Sequence, residues 1–392
     1  MADGPRALRA DEWDQLNEVV STVFRPEMFH DYPQLFSEGN RQNLRVVADD
    51  GKVVCHVGMT QRPASLAGCR IDVACIGAVS ALDAYRGRGF ASQAFQDACD
   101  TAAAGGVDVM LISGGRGLYT RVGCRQVGQD WDFAVALENA RPLAALGGAS
   151  DVALAPAGPD QIDGLRALYQ REPIRFIRPV EDWQMAFDCG IVMNTAADFW
   201  GVSRHDQVVG YLVVHQPGKV RRRNPDDPAT VRVVEYAGDR NAIAAAIPRL
   251  LDHYGAGRAS IHVQGADAAL RALLTTAGGV EGIPASASGT LRVINFPQLM
   301  ERCRPLLAER IGMAAARELI FEADERPGSA LGGFTIRRGT EYLRLPDLGS
   351  LALYLFGSPK PPAAEPEGSA AIADLLGRAL PLPALWYGIN YV

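Results

Sequence analysis

The residues with the clearest chemical potential lie in one turn, Arg86-Gly-Arg-Gly-Phe-Ala91, which follows an apolar stretch and precedes a helical pattern. A helix start presents unpaired backbone N–H groups, and the helix dipole favours negative charge there. Gly87 and Gly89 let the backbone approach a bulky anion where a Cβ atom would collide. Arg86 and Arg88 add positive charge. The turn therefore indicates a phosphate-binding site, although ordinary strand–helix connections also have this composition.

A strand and a helix must position this turn. Ile71–Leu82 is apolar enough for a buried strand, and apolar residues over Phe90–Ala102 recur at helical spacing. Upstream, Leu44–Ala48 and Val53–Met59 predict two further strands. The Asp49-Asp-Gly-Lys52 sequence between them is typical of a hairpin turn. These patterns predict a mixed α/β domain around the turn.

An aromatic segment broken twice by proline, Phe24–Phe36, is the second candidate. One interpretation is a loop that packs its rings onto the core. The other is the wall of an apolar pocket that carries a few acids. Under the second interpretation, the candidate substrate-binding residues are Phe24, Glu27, Phe29, Tyr32 and Phe36.

The composition narrows the class of protein. The formal net charge of -6 gives no support to nucleic-acid binding. No apolar run reaches the roughly 20 residues of a membrane span, and the N-terminus lacks a secretion signal. The 7 cysteines are dispersed, which is typical of reduced thiols in a cytosolic protein. The 6 histidines have no metal-ligand spacing. We therefore expect a cytoplasmic protein with no metal, no nucleic-acid partner and no membrane partner.

The order of predicted elements suggests a duplication. Phe133–Leu137 is expected to close the first domain, and Ala140–Pro159 to form a linker. The second segment repeats the order of the first. At the position of the Arg-Gly turn it has Glu235-Tyr-Ala-Gly-Asp-Arg-Asn241, whose acids disfavour phosphate. Its basic run, Lys219–Arg223, is typical of a solvated loop. A third segment follows, with a helix at Leu348–Phe356.

Three motifs carry a resemblance to a known family. Arg86-x-x-Gly89-x-Ala91 after a strand resembles the acetyl-coenzyme-A signature of the GNAT N-acetyltransferases. Tyr119-Thr-Arg-Val-Gly123 is similar to a turn after the fifth strand of one branch, the enhanced-intracellular-survival (Eis-like) type. Leu291–Leu299 with Leu345–Leu351 is similar to that branch's third domain. The resemblance covers essentially the whole chain.

This resemblance implies an α/β (α+β) fold with two GNAT-type mixed-sheet domains and a sterol-carrier-like α/β domain. Residues 1–145 would form the catalytic GNAT domain, residues 150–287 a degenerate second GNAT domain, and residues 290–392 the sterol-carrier-like domain. It also implies a homo-oligomer, since the family tends toward hexamers.

The implied activity is acetyl-CoA-dependent N-acetylation of a primary amine, on a small molecule or a peptide, by direct attack. In the family a tyrosine, here Tyr119, protonates the leaving thiolate. The terminal carboxylate, here that of Val392, serves as base or proton relay. The implied coenzyme-binding residues are Val79, Ser80, Ala81, Arg86, Gly87, Arg88, Gly89, Phe90 and Ala91.

Plainer interpretations stay open beside these. Tyr119 is also compatible with a core tyrosine. Val392 is also compatible with a terminal strand packed for stability, which Trp386, Tyr387 and Tyr391 would anchor. The alternative function is a non-catalytic protein that binds coenzyme A or a lipid through the sterol-carrier-like domain. The sequence does not specify the acceptor amine.

Overall fold

The computed structural model describes residues 2–115, 117–145, 151–219, 228–324, 332–359 and 366–392. The fold is mixed α/β, which confirms the predicted class. The helices are α1 (Trp13–Val23), α2 (Met28–Asp31), α3 (Phe90–Ala104), α4 (Gly117–Arg121), α5 (Leu137–Leu143), α6 (Ile162–Tyr169), α7 (Val180–Cys189), α8 (Arg240–Tyr254), α9 (Ala268–Thr276), α10 (Phe296–Arg302), α11 (Arg304–Ile311), α12 (Met313–Glu318), α13 (Leu348–Phe356) and α14 (Ala370–Ala379).

The strands occur both singly and in consecutive groups between these helices. They are β1 (Ala2–Ala7), β2 (Leu44–Asp49), β3 (Lys52–Leu66), β4 (Cys69–Ala81), β5 (Val109–Ile112), β6 (Asp130–Ala136), β7 (Val152–Pro156), β8 (Ile174–Phe176), β9 (Ile191–Val192), β10 (Thr195–Arg204), β11 (Gln207–His215), β12 (Thr230–Gly238), β13 (Arg258–Val263), β14 (Ile283–Ala285), β15 (Thr290–Val293), β16 (Ile320–Ala323), β17 (Phe334–Arg338), β18 (Glu341–Leu345) and β19 (Glu367–Gly368).

The chain divides into two compact units. Unit 1 comprises Met1–Gly128, Ser288–Ala384 and Tyr391–Val392, and unit 2 comprises Gln129–Ala287 and Leu385–Asn390. The C-terminal segment therefore contributes to unit 2 first and to unit 1 with its last two residues. The three-domain organisation stays a prediction.

The main sheet of unit 1 has the strand order β1-β2-β3-β4-β5-β15. Neighbouring strands pair antiparallel except β4 and β5, which run parallel. Helix α3 packs on one face because Phe95 and Ala98 on its apolar stripe join Val57 and Ile76 of the sheet in one buried cluster. This packing fixes the start of α3 beside the end of β4.

A second sheet of unit 1 has the order β16-β17-β18-β19. Beside it, α13 spans the predicted residues, and the Asp347 carboxylate caps it by accepting a hydrogen bond from the Ser350 amide at 2.9 Å. The Asn295 side chain caps α10 in the same way through the Gln298 amide, at 3.2 Å. The sterol-carrier-like fold expected for this part of the chain stays a prediction.

The sheet of unit 2 has the order β14-β6-β13-β12-β11-β10-β7. Strands β12 and β13 run parallel, like β4 and β5 of unit 1. Helix α8 is buried along most of its length against this sheet, with Ile243, Ile247 and Leu250 in the shared cluster. Unit 2 therefore repeats the parallel strand pair and the helix that follows its longer strand.

Two predictions about organisation were wrong. The strand expected to close the first domain is β6, which pairs with β13 and β14 in the sheet of unit 2. The expected linker Ala140–Pro159 begins inside α5 and contains β7. Its residues 146–150 lie outside the described residues, as do residues 220–223 of the basic run. Within the described ranges, no helix is both long and apolar enough to cross a bilayer.

Candidate active site

The site begins where β4 leaves β5. The parallel pairing extends from Val73↔Val109 to Ile76↔Ile112, while β4 continues alone to Ala81. On its other edge β4 stays paired with β3. Among the described residues, no strand pairs with Gly77–Ala81 on the β5 side, so a ligand between the two strands can bond to this part of the backbone.

A β-bulge re-aims β4 just after this divergence. Gly58 pairs with Gly77, but His56 pairs with Ser80, so β4 has one extra residue here. Ala78 in the bulge has a φ of 51°, a left-handed conformation that costs an alanine about 1 kcal/mol. The Ala78 carbonyl accepts a hydrogen bond from Nδ1 of His56 at 3.0 Å, which stabilises this conformation. The predicted residues Val79, Ser80 and Ala81 thus lie on a bulged, diverging strand.

The predicted phosphate turn leads from β4 into α3. Gly87 and Gly89 have φ values of 79° and 83°, so both need the conformational freedom of glycine. Gly89 is the residue before the helix and has no side chain to cap it. The first amides of the helix, at Phe90 and Ala91, are therefore not capped by that residue and can serve an anion.

The two arginines of the turn are exposed. Arg86 pairs with Asp83 at 2.9 Å, and Arg88 pairs with Asp49 at 3.0 Å. The Arg88 guanidinium also lies 5.0 Å from the Tyr85 ring centre. Ion pairs at this exposure contribute little, so either arginine can turn toward an anion at small cost.

Tyr119 lies on the α3 side of the sheet. It is buried in α4, with its ring centre 5.6 Å from that of Phe95 and in one apolar cluster with Ile76 and Ile112. Those two isoleucines are the last paired residues of β4 and β5. Tyr119 is therefore next to the point of divergence.

The end of the chain lies on the opposite face. A Cβ atom at Gly77 would overlap the terminal carboxyl group of Val392, so that group contacts the first residue of β4 beyond the paired region. Gly77 pairs with Gly58, and Gly58 lies two residues from His56 on β3. Since alternate residues of a strand share a face, the carboxylate and His56 are on the same side of the sheet. Tyr119 and the Val392 carboxylate thus flank β4 from its two faces.

The aromatic segment is divided between core and surface. Tyr32 and Phe36 are buried, and Phe29 stacks on Phe36 with ring centres 4.4 Å apart. Phe24 is 41% exposed and Glu27 is exposed as well. Of the predicted substrate residues, the structure brings the inner ones to the site and leaves Phe24 and Glu27 at the surface.

The inner aromatic residues meet the end of the chain. The ring of Phe36 lies 5.8 Å from that of His56. Burial, together with the neighbouring Tyr391, raises the pKa of Tyr32 to about 12, so Tyr32 stays neutral. This face of the sheet therefore combines a terminal carboxylate with neutral aromatic groups, an environment that suits an ammonium ion.

Sequence reasoning missed His56. The ring is fully buried, and burial lowers its pKa to about 4, so the imidazole is neutral. Because Nδ1 donates to Ala78, Nε2 is an acceptor, and it has no hydrogen-bond partner among the described residues. The hydroxyl of Ser80, which pairs with His56 across the two strands, likewise has no hydrogen-bond partner among the described residues. A lone histidine in the apolar run Val53–Met59 was the available signal.

Residues 5–127 match the family model described as an acetyltransferase (GNAT) domain. No curated protein sequence matches the chain. Within the described ranges, no group of three metal-ligating side chains could hold an ion.

Three solved structures have a similar fold. A GCN5-related N-acetyltransferase from Anabaena variabilis is 15% identical, with a TM-score of 0.66 over 98% of this chain and 99% of that one. A probable N-acyltransferase from Enterococcus faecalis is 14% identical, with a TM-score of 0.67 over 100% and 99%. Eis1 from Mycobacterium abscessus is 17% identical, with a TM-score of 0.59 over 90% and 89%. At these identities the structures show a common fold, built around a GNAT domain in the first third of the chain.

Proposed function

We propose that the protein is an N-acetyltransferase that moves an acetyl group from acetyl-CoA to a primary amine on a small molecule or a peptide. The observation that carries the proposal is the contact between the terminal carboxylate of Val392 and Gly77, where β4 leaves β5 in the GNAT domain. A carboxylate at that point has an evident use if an amine must be drawn there and deprotonated.

The coenzyme lies along the diverging strands in this proposal. Its pyrophosphate accepts hydrogen bonds from the amides of the Gly87–Ala91 turn, with Arg86 or Arg88 adding charge. The pantetheine arm then pairs with the free edge of β4 over Val79–Ala81. The acetyl carbonyl thereby reaches the bulge, where a backbone N–H can stabilise the oxyanion.

The transfer needs no further reagent. The amine nitrogen forms a bond to the carbonyl carbon, and the C–S bond breaks as the tetrahedral intermediate collapses. Tyr119 gives its proton to the thiolate or hydrogen-bonds it. With pKa values of about 8.5 for a thiol and 10 for tyrosine, complete transfer is uphill by about 2 kcal/mol in water. Reprotonation of Tyr119 by solvent completes the cycle.

The carboxylate of Val392 takes the opposite role. Its pKa of about 3.5 in water lies roughly 6 units below that of an alkylammonium ion, so it is a weak base there. Val392 is only 4% exposed, so its carboxylate lies away from bulk water. We expect it to attract the cation and to pass the proton on through water. The buried acceptor of His56 and the hydroxyl of Ser80 are two polar atoms on this face that can hold such a water.

The Eis-like subtype is part of the proposal. Its support is the three sequence motifs and a fold match to Eis1 that covers 90% of this chain. On the same ground we propose the sterol-carrier-like third domain and a homo-oligomeric assembly. The acceptor is defined here only by its chemistry, as a primary amine that is cationic before it reacts.

The test is a steady-state assay of thiol release with acetyl-CoA and a panel of amines, on the native protein and on a variant extended by a few residues beyond Val392. We expect turnover with at least one amine and a loss of about 100-fold on extension, with coenzyme affinity retained. The same tag on the N-terminus is the control. Coenzyme binding without acetylation of any amine, or full turnover in the extended protein, would contradict the proposal.

A further inference from the structure

Unit 2 repeats the architecture of the coenzyme slot. Strands β12 and β13 pair in parallel from Thr230↔Arg258 to Val233↔Ile261, after which β12 continues alone to Gly238. Its pairing with β11 shifts register at Val234, so a bulge again follows the divergence. Unit 2 thus has the same diverging strands as unit 1, in the same order.

The chain's own C-terminal segment occupies this second slot. The indole N–H of Trp386 donates a hydrogen bond to the Val234 carbonyl at 2.6 Å. The Trp386 ring stacks on His262, with ring centres 3.7 Å apart and planes at 16°. An open cavity remains beside it, lined by Tyr236, Arg240 and other residues. The Val234 carbonyl itself is bonded to Trp386, so a ligand between the two strands would compete with that residue.

The helix that follows the second slot is already capped. Asp239 accepts a hydrogen bond from the Ala242 amide at 2.9 Å. Arg240, the next residue, is held by Glu172 and Asp267. The Ala242 amide and the charge of Arg240, which a pyrophosphate could use, are therefore engaged within unit 2.

Next to the slot lies a buried ion pair. Arg178 donates two hydrogen bonds to Glu235, at 2.8 and 2.7 Å, and the two side chains are 1% and 5% exposed. The hydroxyl of Tyr211 donates to the same carboxylate at 2.7 Å. Burying such a pair gains little stability over apolar packing. Its contacts with the C-terminal segment give it a use.

Three consecutive residues of the segment contact this pair. The Ile389 amide donates to Glu235 at 3.0 Å. Gly388 has a φ of 52°, and a Cβ atom there would overlap the Glu235 carboxylate. The Asn390 side chain accepts from Arg178 and donates to Asp182 at 3.1 Å. Glu235, Arg178, Asp182 and Asn390 are all buried.

We infer that unit 2 is a binding site for the chain's own residues 386–390, and that Glu235 and Gly388 are positioning residues for the terminal carboxylate. Val392 is two residues beyond Asn390, so chain length alone holds it within about 7 Å of the point where Asn390 is fixed. The positioning role rests on the proposed function, whereas the binding of the segment does not.

The test compares Gly388→Ala with Gly255→Ala. Both glycines have a left-handed φ, of 52° and 56°, but Gly255 has open space where a Cβ atom would go. The pair therefore isolates the collision with Glu235 from the backbone strain. Asn390→Ala is a second variant, which removes the bonds to Arg178 and Asp182 without adding bulk.

Two readouts are measured on the full chain. The first is the rate at which a carboxypeptidase releases Val392, which intact mass spectrometry follows. The second is the pair of constants kcat and KM for acetyl-CoA. We expect Gly388→Ala and Asn390→Ala to release Val392 at least about tenfold faster than Gly255→Ala, because the segment opens more often. We also expect kcat to fall about tenfold with KM for acetyl-CoA within about twofold.

Equal release rates in Gly388→Ala, Asn390→Ala and Gly255→Ala would overturn the binding of the segment, whatever the activity. Faster release with unchanged kcat would overturn the positioning role and also count against Val392 in the proposed function. Because release is measured without substrate, failure of the acetyl-transfer proposal alone leaves the first result intact.

Discussion

The two diverging strand pairs of this protein have the same backbone arrangement but differ in the residue that starts the following helix. In unit 1, β4 leaves β5 after Ile76 and leads to a helix preceded by Gly89, which cannot cap it. In unit 2, β12 leaves β13 after Val233 and leads to a helix capped by Asp239. The two units therefore share the diverging strands and differ at the helix start, where Asp239 caps α8 and Gly89 leaves α3 without a side-chain cap. A helix start without such a cap is the one that suits an anion.

The C-terminal segment contacts both strand divergences. It reaches the same strand position in both units, the residue after the last parallel pair. In unit 2 that residue is Val234, whose carbonyl holds Trp386, and in unit 1 it is Gly77, which contacts the carboxylate of Val392. The segment therefore places the Trp386 side chain at the strand divergence of unit 2 and its last residue, Val392, at that of unit 1.

The largest effect is expected from giving unit 1 the helix start of unit 2. Gly89→Asp places a carboxylate at the pyrophosphate position, and we expect a loss of about 100-fold in acetyl-CoA affinity. The control is Gly106→Asp at the other end of α3, where φ is 76° and the space is open. Titration calorimetry measures both, and equal affinities would refute the contrast between the two helix starts.

Tyr119→Phe tests the acid on the α3 face. We expect kcat to fall about 100-fold, because the thiolate leaves without a proton donor, while KM for acetyl-CoA changes less than about twofold. Tyr342→Phe, at a residue 49% exposed on another sheet, is the control. Unchanged turnover in Tyr119→Phe would leave Tyr119 with the role of a core residue.

Gly77→Ala tests the carboxylate from the side of the strand. Its φ is not left-handed, so alanine is compatible with the backbone, and the cost is the overlap with Val392. We expect kcat to fall about tenfold through displacement of the carboxylate. Gly39→Ala, where nothing lies near, serves as the control. If both variants turn over equally, the terminal carboxylate has no part in catalysis.

The smallest expected effect is on the pH dependence of stability, and it concerns two histidines. Burial lowers the pKa of His56 to about 4, so the stability it provides is lost as the pH falls from about 6.5 toward 4. At His262 burial lowers the pKa, but Asp130 and Asp132 raise it by more. That contribution is present below pH 6.5 and is lost as the pH rises through the raised value.

The two pKa shifts are tested by NMR titration of the histidine ring protons, which are assigned with the variants His56→Gln and His262→Gln. We expect His262 to titrate above 6.5 and His56 to remain neutral down to about pH 4. Titration of both rings near 6.5 would remove the contrast.

Features set by residues close in sequence were predicted well, whereas the pairing of distant strands was not. The Arg86–Ala91 turn and the helix Leu348–Phe356 each depend on residues close in sequence, and both lie where expected. The assignment of β6 failed because the partner of a strand is set by the packing of distant segments.

The ion pair between Arg178 and Glu235 was missed for the same reason, since the two residues lie far apart in the chain. The glutamate drew attention only as an acid in the wrong place for phosphate. Its use became visible when the structure placed it against Gly388 and Ile389. Likewise, His56 was missed because its hydrogen bond to Ala78 at the bulge depends on the pairing of β3 with β4.

The most direct test of this account is the stoichiometry of coenzyme A binding to the full chain, measured by titration calorimetry. We expect one site per chain, which is lost in Gly89→Asp. It is retained in Asp239→Gly, a variant that uncaps α8 but leaves Trp386 in the second slot. Two sites per chain, or a single site that survives Gly89→Asp, would contradict it.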